Sequence, residues 1–153
     1  MDKFIKRALQ EAKKGIEAGD GGPFGAVIVK DEKVIAVGHN EVVKTNDPTA
    51  HAEIVAIRRA SQKLQSFHLT GCWLYVTAEP CPMCFAAIHW AHIEKVFYCN
   101  TKVEAAAIGF DDNLITEIMI EKREDSIPFY HQPSKACQEL FKRWYKDPHK
   151  VLY

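Results

Sequence analysis

An alternation of strand-like and helix-like segments through the middle of the chain limits the fold more than any other feature. The stretch "KVIAVGHN" is rich in β-branched residues, and it is followed by helical, strand-like, helical and strand-like patterns over residues 48–64, 72–79, 81–93 and 95–100. Segments in this order are typical of α/β proteins, in which crossover helices join the strands of a mainly parallel sheet and pack on its faces. The pattern therefore predicts a sheet covered by helices.

The segments on either side of this alternation complete the predicted fold. "GAVIVK" and "KVIAVGHN" flank Asp31 and Glu32 and predict an antiparallel hairpin. The first twenty residues repeat apolar side chains on one helical face, and "SIPFYHQ" predicts a further strand. Since 153 residues is about the length of one domain, we predict a single α/β domain over residues 1–153, a three-layer αβα sandwich around a mixed five-stranded sheet.

Composition and charge argue against several classes of protein. Twenty Lys and Arg balance twenty Asp and Glu, so the chain lacks the global positive field that supplies most non-specific affinity for nucleic acids. No apolar run approaches the roughly 20 residues that span a bilayer. The five cysteines show no disulfide framework, which favours a reducing compartment. We expect a cytoplasmic protein with no membrane or nucleic acid partner.

Two cysteines three residues apart open the helix that follows the strand "CWLYVTAE". In "AEPCPMCFAAIH", Pro82 suits the first turn of a helix, so the thiols of Cys81 and Cys84 project from one helix N-terminus. The unpaired amides and positive dipole there favour thiolate over thiol. Taken alone, the pair is compatible with a redox dithiol, half of a zinc site or two small buried residues.

A histidine and a glutamate open the preceding crossover helix. His51 and Glu53 stand about 200° apart on an ideal helix, so they cannot share one lateral face. Helical side chains tilt toward the N-terminus, so both reach a point just beyond the first turn. Because helices that follow parallel strands begin at the same edge of a sheet, we expect this point to lie beside the two thiols.

One imidazole and two thiolates make three ligands for a metal ion, namely His51, Cys81 and Cys84. Tetrahedral Zn²⁺ has four positions, so one is left for water, as in catalytic rather than structural sites. The ion can bring the pKa of its water to about 7. Glu53 is placed to take the proton of that water and deliver it to a substrate. The sequence thus predicts one zinc ion per chain and Glu53 as a catalytic residue.

"HAE" followed by "PCPMC" resembles the signature of the zinc-dependent cytidine deaminase superfamily of nucleobase and nucleoside deaminases. The resemblance covers nearly the whole chain and implies a cytidine deaminase-like fold. "FAAIHWAHIEKVFYCN", "AIGFDDNLITEI", "IPFYHQ" and the aromatic-terminated tail are similar to the small bacterial guanine deaminases within that superfamily. The implied reaction is hydrolysis of guanine to xanthine and ammonia. Alternatives are a deaminase of cytosine, of a nucleoside or of adenosine in transfer RNA, and a non-enzymatic zinc or dithiol module.

The resemblance also implies contacts to the purine. Phe24 would stack on the base, while Asn40 and Trp90 would offer polar contacts to its edge. Asp112 would face the N1 and 2-amino groups and would serve as a second catalytic acid–base. The family exchanges C-terminal segments between the subunits of a dimer, which implies a homodimer with residues 148–153 as the exchanged arm and Tyr153 near the neighbouring site.

Overall fold

A computed structural model gives the fold of the chain and describes residues 2–152. In chain order its helices and strands are α1 (Lys3–Ala18), β1 (Gly25–Lys30), β2 (Lys33–His39), α2 (Val42–Thr45), α3 (Ala52–Leu64), β3 (Cys72–Ala78), α4 (Pro82–Trp90), β4 (Lys95–Asn100), α5 (Lys102–Ala107), α6 (Asn113–Met119) and α7 (Lys135–Lys146).

The strands form one mixed sheet. Within residues 2–152 it has four strands in the order β2-β1-β3-β4. Strand β1 pairs antiparallel with both β2 and β3, whereas β3 and β4 pair in parallel. Three strands therefore run in one direction and β1 runs in the other. The prediction of a mixed sheet is confirmed, and so is the hairpin at its start.

The predicted strand count was one too high. The stretch "SIPFYHQ", residues 126–132, forms no strand, and its side chains are exposed. Pro128 lacks the amide hydrogen that a ladder needs, and a strand gains its stability only by pairing with a neighbouring edge. Hydrophobic content alone therefore misled the prediction at this segment.

Helices cover both faces of the sheet, which confirms the three-layer architecture. Strand β1 sends Val27 and Val29 to the face that packs on α1, where Phe4 and Ile5 lie in the same buried cluster. Its alternate residues, Ala26 and Ile28, belong to the other cluster. That cluster also includes Ala52 and Ala56 of α3 and Ile88 of α4. Both faces of β1 are buried because side chains alternate along a strand.

The strand directions bring the starts of α3 and α4 to one edge of the sheet. Helix α3 follows β2 and α4 follows β3, and these two strands run the same way on either side of β1. Gly38 allows α3 to approach β2 closely, since a β-carbon there would lie 2.6 Å from the carbonyl oxygen of Ala52. The two segments with the predicted ligands therefore begin side by side.

Helix α3 begins later than the sequence suggested. Asp47 and Pro48 have the features of a helix start, but the carboxylate of Asp47 instead accepts bonds from the amide and hydroxyl of Thr49, at 2.8 and 2.6 Å. This local turn delays the helix to Ala52 and makes His51 its N-cap residue. The segment between β2 and α3 contains the short helix α2.

The C-terminal third packs little against the rest of the single chain. Every side chain from residue 119 to residue 149 is exposed. Helix α7 nevertheless carries large apolar side chains, among them Phe141, 77% exposed, and Tyr145, 73% exposed. Across residues 2–152, none of the helices is both long enough and apolar enough to span a membrane.

Candidate functional site

Three predicted ligand side chains meet where α3 and α4 begin. The Nδ1 atom of His51 lies 3.6 Å from the Sγ atom of Cys81 and 3.6 Å from that of Cys84. Cys84 is fully buried, and the other two residues are partly buried. One ligand atom from each residue lies within 4.8 Å of the others, so the three can hold one metal ion.

The spacing of these atoms fits zinc. Zn–S bonds of about 2.3 Å and Zn–N bonds of about 2.0–2.1 Å at tetrahedral angles place the nitrogen and the sulfur about 3.5–3.6 Å apart. Both nitrogen–sulfur distances agree with this spacing. One imidazole with two thiols is also a donor set that zinc prefers, because its ligands are neutral nitrogen and anionic sulfur.

The hydrogen bonds among the three residues already favour one thiolate. The pKa of Cys81 falls to about 4 because Cys84 and His51 donate hydrogen bonds to its sulfur. The same contact holds the proton on Cys84 and raises the pKa of that thiol, as does its burial. The pKa of His51 rises because its ring bonds to the Cys81 sulfur. A bound dication would displace the remaining protons, since coordinating thiols are deprotonated.

Glu53 lies beside this group on the first turn of α3. Its side chain is buried, with 8% of the residue exposed. Burial raises the pKa of its carboxyl, and the Cys81 sulfur adds to the increase. A raised pKa makes the protonated form of the carboxyl easier to reach than in an exposed glutamate, which suits a group that must both accept and donate a proton.

A cavity of about 590 Å³ opens beside the three candidate metal ligands, which we call the metal group. His51, Glu53 and Cys81 form part of its wall. Of the residues that the resemblance implicates in purine binding, Phe24, Asn40 and Asp112 also line it. A cavity of this size next to convergent polar groups is typical of a small-molecule site.

Asp112 reaches the cavity from the N-terminal end of α6. It occupies the N-cap position, but its side chain makes no capping hydrogen bond. Burial raises the pKa of its carboxyl, while the charge of Lys102 opposes that increase. The carboxylate is therefore available to a ligand rather than committed to its own helix.

Phe110 and Lys102 are among the cavity residues that the sequence did not indicate. The ring of Phe110 packs edge-on against that of Phe24, with centroids 4.8 Å apart at 88°, and both rings line the cavity. Lys102 lines it as well. Phe110 directly precedes the "DD" of "GFDD", so its proximity to that motif was the only available signal.

One predicted substrate contact does not line the cavity, and another is not among the described residues. Trp90 ends α4, is 64% exposed and is absent from the residues that line the cavity of its own chain. Tyr153 lies outside the described residues.

Comparison with known proteins adds to this geometry. Residues 1–100 match the cytidine and deoxycytidylate deaminase zinc-binding region. The chain is 48% identical to guanine deaminase of Bacillus subtilis (strain 168) over 151 residues, 98% of this chain and 97% of that protein. It is 38% identical to the tRNA-specific adenosine deaminase of Aquifex aeolicus (strain VF5), with 94% and 92% of the two chains covered.

The fold agrees with an experimental structure as well. The crystal structure of guanine deaminase from Bacillus subtilis superposes with a TM-score of 0.93 and 46% identity, covering 100% of this chain and 99% of that one. The histidine–cysteine–cysteine group, the buried glutamate and the matched region all lie on the same stretch of sequence. The chain therefore belongs to the family defined by the cytidine and deoxycytidylate deaminase zinc-binding region.

Proposed function

We propose that the chain is a zinc-dependent guanine deaminase that hydrolyses guanine to xanthine and ammonia. The observation that carries the proposal is the extent of the match to the Bacillus subtilis enzyme. It covers the entire chain in structure, including the third that follows the zinc-binding region. The sequence identity to the Aquifex tRNA-specific adenosine deaminase is 38%, against 48% to the Bacillus subtilis guanine deaminase.

The proposed ligands of the zinc ion are His51, Cys81 and Cys84, one ion per chain. When bound, the ion would lower the pKa of a coordinated water and so supply a nucleophile near neutral pH. The ligand side chains come from the ends of two helices that the sheet holds in fixed positions. This rigid support orients them without help from the substrate.

Glu53 is the proposed proton carrier. In its ionised form it takes one proton of the attacking water and passes it to the ring nitrogen beside C2, and it then takes the second proton, from the hydroxyl now on C2, and passes it to the departing amine. Burial raises the pKa of its carboxyl toward the working pH, which suits a group that must both accept and donate. The atoms balance: water adds at C2, the bond from C2 to the amine breaks, and ammonia leaves.

Asp112 is the proposed recognition group for guanine. An ionised carboxylate only accepts hydrogen bonds, and guanine presents N1–H beside its 2-amino group, so two donors meet two acceptors. Adenine and cytosine lack this pair of donors. Lys102 supports the ionised form of Asp112 against the effect of burial. Since the amine that leaves is the one on C2, Asp112 is also the proposed second relay for its proton.

Phe24 and Asn40 are the proposed contacts to the remainder of the purine. Phe24 offers an aromatic surface whose orientation Phe110 fixes from the side. Asn40 is buried, and its Oδ1 atom accepts a hydrogen bond of 3.2 Å from the amide of Val42. Its amide NH₂ group is left to donate to an acceptor on the base.

We propose that the remaining predicted contacts come from a second copy of the chain. We propose a homodimer in which the C-terminal segment, ending in the predicted arm 148–153, closes the cavity of the partner. Support comes from the exposed apolar side chains of α7, because a surface of this kind is normally covered. Trp90 and Tyr153 would then contact the base from the other subunit. In this proposal the chain is a single domain, in which residues 1–147 form the body and residues 148–153 form the exchanged arm.

The proposed compartment is the cytoplasm. The five cysteines are all free thiols, and the two at the metal group must stay reduced to bind zinc.

The substrate is tested by ammonia release from zinc-loaded protein. Guanine, adenine, cytosine, cytidine, adenosine and a transfer RNA anticodon stem-loop are supplied separately. We expect turnover of guanine at least about 10⁴-fold above that of adenine, because the two donors that Asp112 reads are absent there. Turnover of the stem-loop or of cytosine without turnover of guanine contradicts the proposal. Failure with every substrate, with zinc bound, points to a non-enzymatic zinc module.

A further inference from the structure

Asp20, just beyond the end of α1, makes four contacts with the end of β2 and with the short helix α2. Its backbone carbonyl accepts bonds of 3.0 Å from the amides of Val43 and Lys44. Its carboxylate lies 3.1 Å from the Lys44 ammonium and 2.7 Å from Nε2 of His39. The side chain is only 13% exposed. One residue therefore holds the end of β2 and the short helix α2 together.

The segment that Asp20 holds carries part of the proposed purine site. Val42 and Val43 of α2 line the cavity, and so does Asn40. The Val42 amide donates a hydrogen bond to the Asn40 side-chain oxygen, which leaves the NH₂ group to donate to a ligand. Gly21, next to Asp20, lies so close to Asn40 that any β-carbon there would collide with its side-chain oxygen. A shift of α2 would release the amide of Asn40.

A second metal site is a poorer explanation of the same cluster. Ligand atoms of Asp20, His39 and Glu41 lie within 4.8 Å of one another. However, Lys44 and Arg59 already pair with these carboxylates, at 3.1 Å from Asp20 and 2.7 Å from Glu41. A dication would have to displace both cations. The cluster is better explained as a set of ion pairs that fixes the wall.

We propose that Asp20 is a positioning residue for substrate binding, which acts by fixing α2 and, through the Val42 amide, the orientation of the Asn40 side chain. The inference rests on the proposed function, because it assigns Asn40 to the purine. Asp20 lies behind the wall rather than in the cavity and takes no part in the proton transfers.

The first test compares Asp20→Ala with Glu17→Ala, an exposed acid on the last turn of α1. Asp20→Ala is expected to raise KM for guanine about tenfold, the cost of one substrate hydrogen bond, with kcat changed less than about twofold. Amide hydrogen exchange over residues 41–46 is expected to be faster by about tenfold in this variant. Glu17→Ala should leave both quantities unchanged. An unchanged KM in Asp20→Ala overturns the inference.

The second test asks whether Asp20 acts through Asn40. In an Asn40→Ala background, Asp20→Ala should add no further increase in KM, since the group that it orients is gone. Additive effects of the two substitutions overturn the inference. If Asp20→Ala does not fold, Asp20→Asn replaces it, and we expect a smaller rise in KM because one acceptor oxygen remains. Wild-type protein that fails to deaminate guanine refutes the proposed function instead, whereas normal turnover with unchanged KM in the variants refutes only this inference.

Discussion

His51 and Cys81 occupy equivalent positions, each as the N-cap residue of its helix with an extended backbone, at φ −66° and ψ 157° and at φ −68° and ψ 168°. Neither side chain caps its own helix. Each is therefore free to bind an ion, and the unpaired first-turn amides at a helix N-terminus favour negative charge such as that of a thiolate. This arrangement explains why two short motifs thirty residues apart form one site.

Replacement of Glu53 by glutamine separates activity from metal binding. Glu53→Gln keeps the size of the side chain but cannot carry a proton, so kcat for guanine should fall at least about 10²-fold. Zinc content, measured by elemental analysis, should stay at one per chain. Loss of zinc together with activity contradicts the proton-carrier role and makes Glu53 a structural residue.

At alkaline pH the same variant should be more stable than the wild type when both are metal-free. Burial raises the pKa of Glu53 above its ordinary value of 4.5, so ionisation costs folding free energy as the pH rises from that value through the folded-state pKa. Glutamine avoids this cost. We expect equal Tm values at low pH, where the carboxyl is protonated in both states, and a higher Tm for Glu53→Gln at alkaline pH. A variant that is less stable throughout contradicts the expectation.

Zinc affinity should rise with pH. In the metal-free protein Cys84 and His51 hold protons because their pKa values are raised, whereas Cys81, with its pKa at about 4, is already a thiolate. Zinc must displace these protons, about two per ion below the pKa of His51 and about one above it. Calorimetry in buffers of different ionisation enthalpy measures the release. Cys99→Ser, which changes an exposed thiol, is the matched control and should release as many protons as the wild type. Release that does not vary with pH contradicts the assignment of the ligands.

Asp112→Asn should impair guanine turnover selectively. The amide presents a donor where the carboxylate presented only acceptors, so kcat/KM should fall about a hundredfold, from one lost charge-assisted pair of bonds. Asp111→Asn is the control, since its side-chain oxygen can still accept the bond from the Asn113 amide. Steady-state kinetics on both variants decides the matter. Unchanged turnover and affinity in Asp112→Asn refute its role.

Removal of residues 148–153 should abolish turnover without loss of zinc, if the arm serves the neighbouring site. Co-refolding the truncated chain with full-length Glu53→Gln then restores activity, because the intact Glu53 of one subunit receives the arm of the other. Sedimentation analysis should show dimers in each sample. If the arm folds back on its own subunit, the mixture should regain no activity. A monomeric wild-type protein contradicts the exchange of arms between subunits.

The fold and the metal group could be predicted because their signals are local. Alternating strands and helices fixed the layers, and Cys81, Pro82 and Cys84 identify a helix start from the residues themselves. The start of α3 was misplaced because a polar turn at Asp47 competes with helix capping. Such competition depends on geometry a few residues away.

Cavity residues were harder to predict because they meet only after folding. Phe110 lies far from Phe24 in sequence, and neither flanking pattern indicates that the rings touch. The false strand at 126–132 arose from the same limitation, since apolar residues that stay exposed in the chain and residues that form a strand show similar patterns. Trp90 is a further example. It is the last residue of α4, and only the folded structure shows that this position is exposed within one chain.

The placement of β1 between the strands that lead to α3 and α4 has a consequence for the whole molecule. An ion held by residues 51, 81 and 84 would connect two crossover units that do not pair with each other along the sheet. It would act as a cross-link, comparable to a disulfide that closes a long loop of the unfolded chain. Metal supply would then govern how much of this protein survives proteolysis as well as how fast each surviving molecule works.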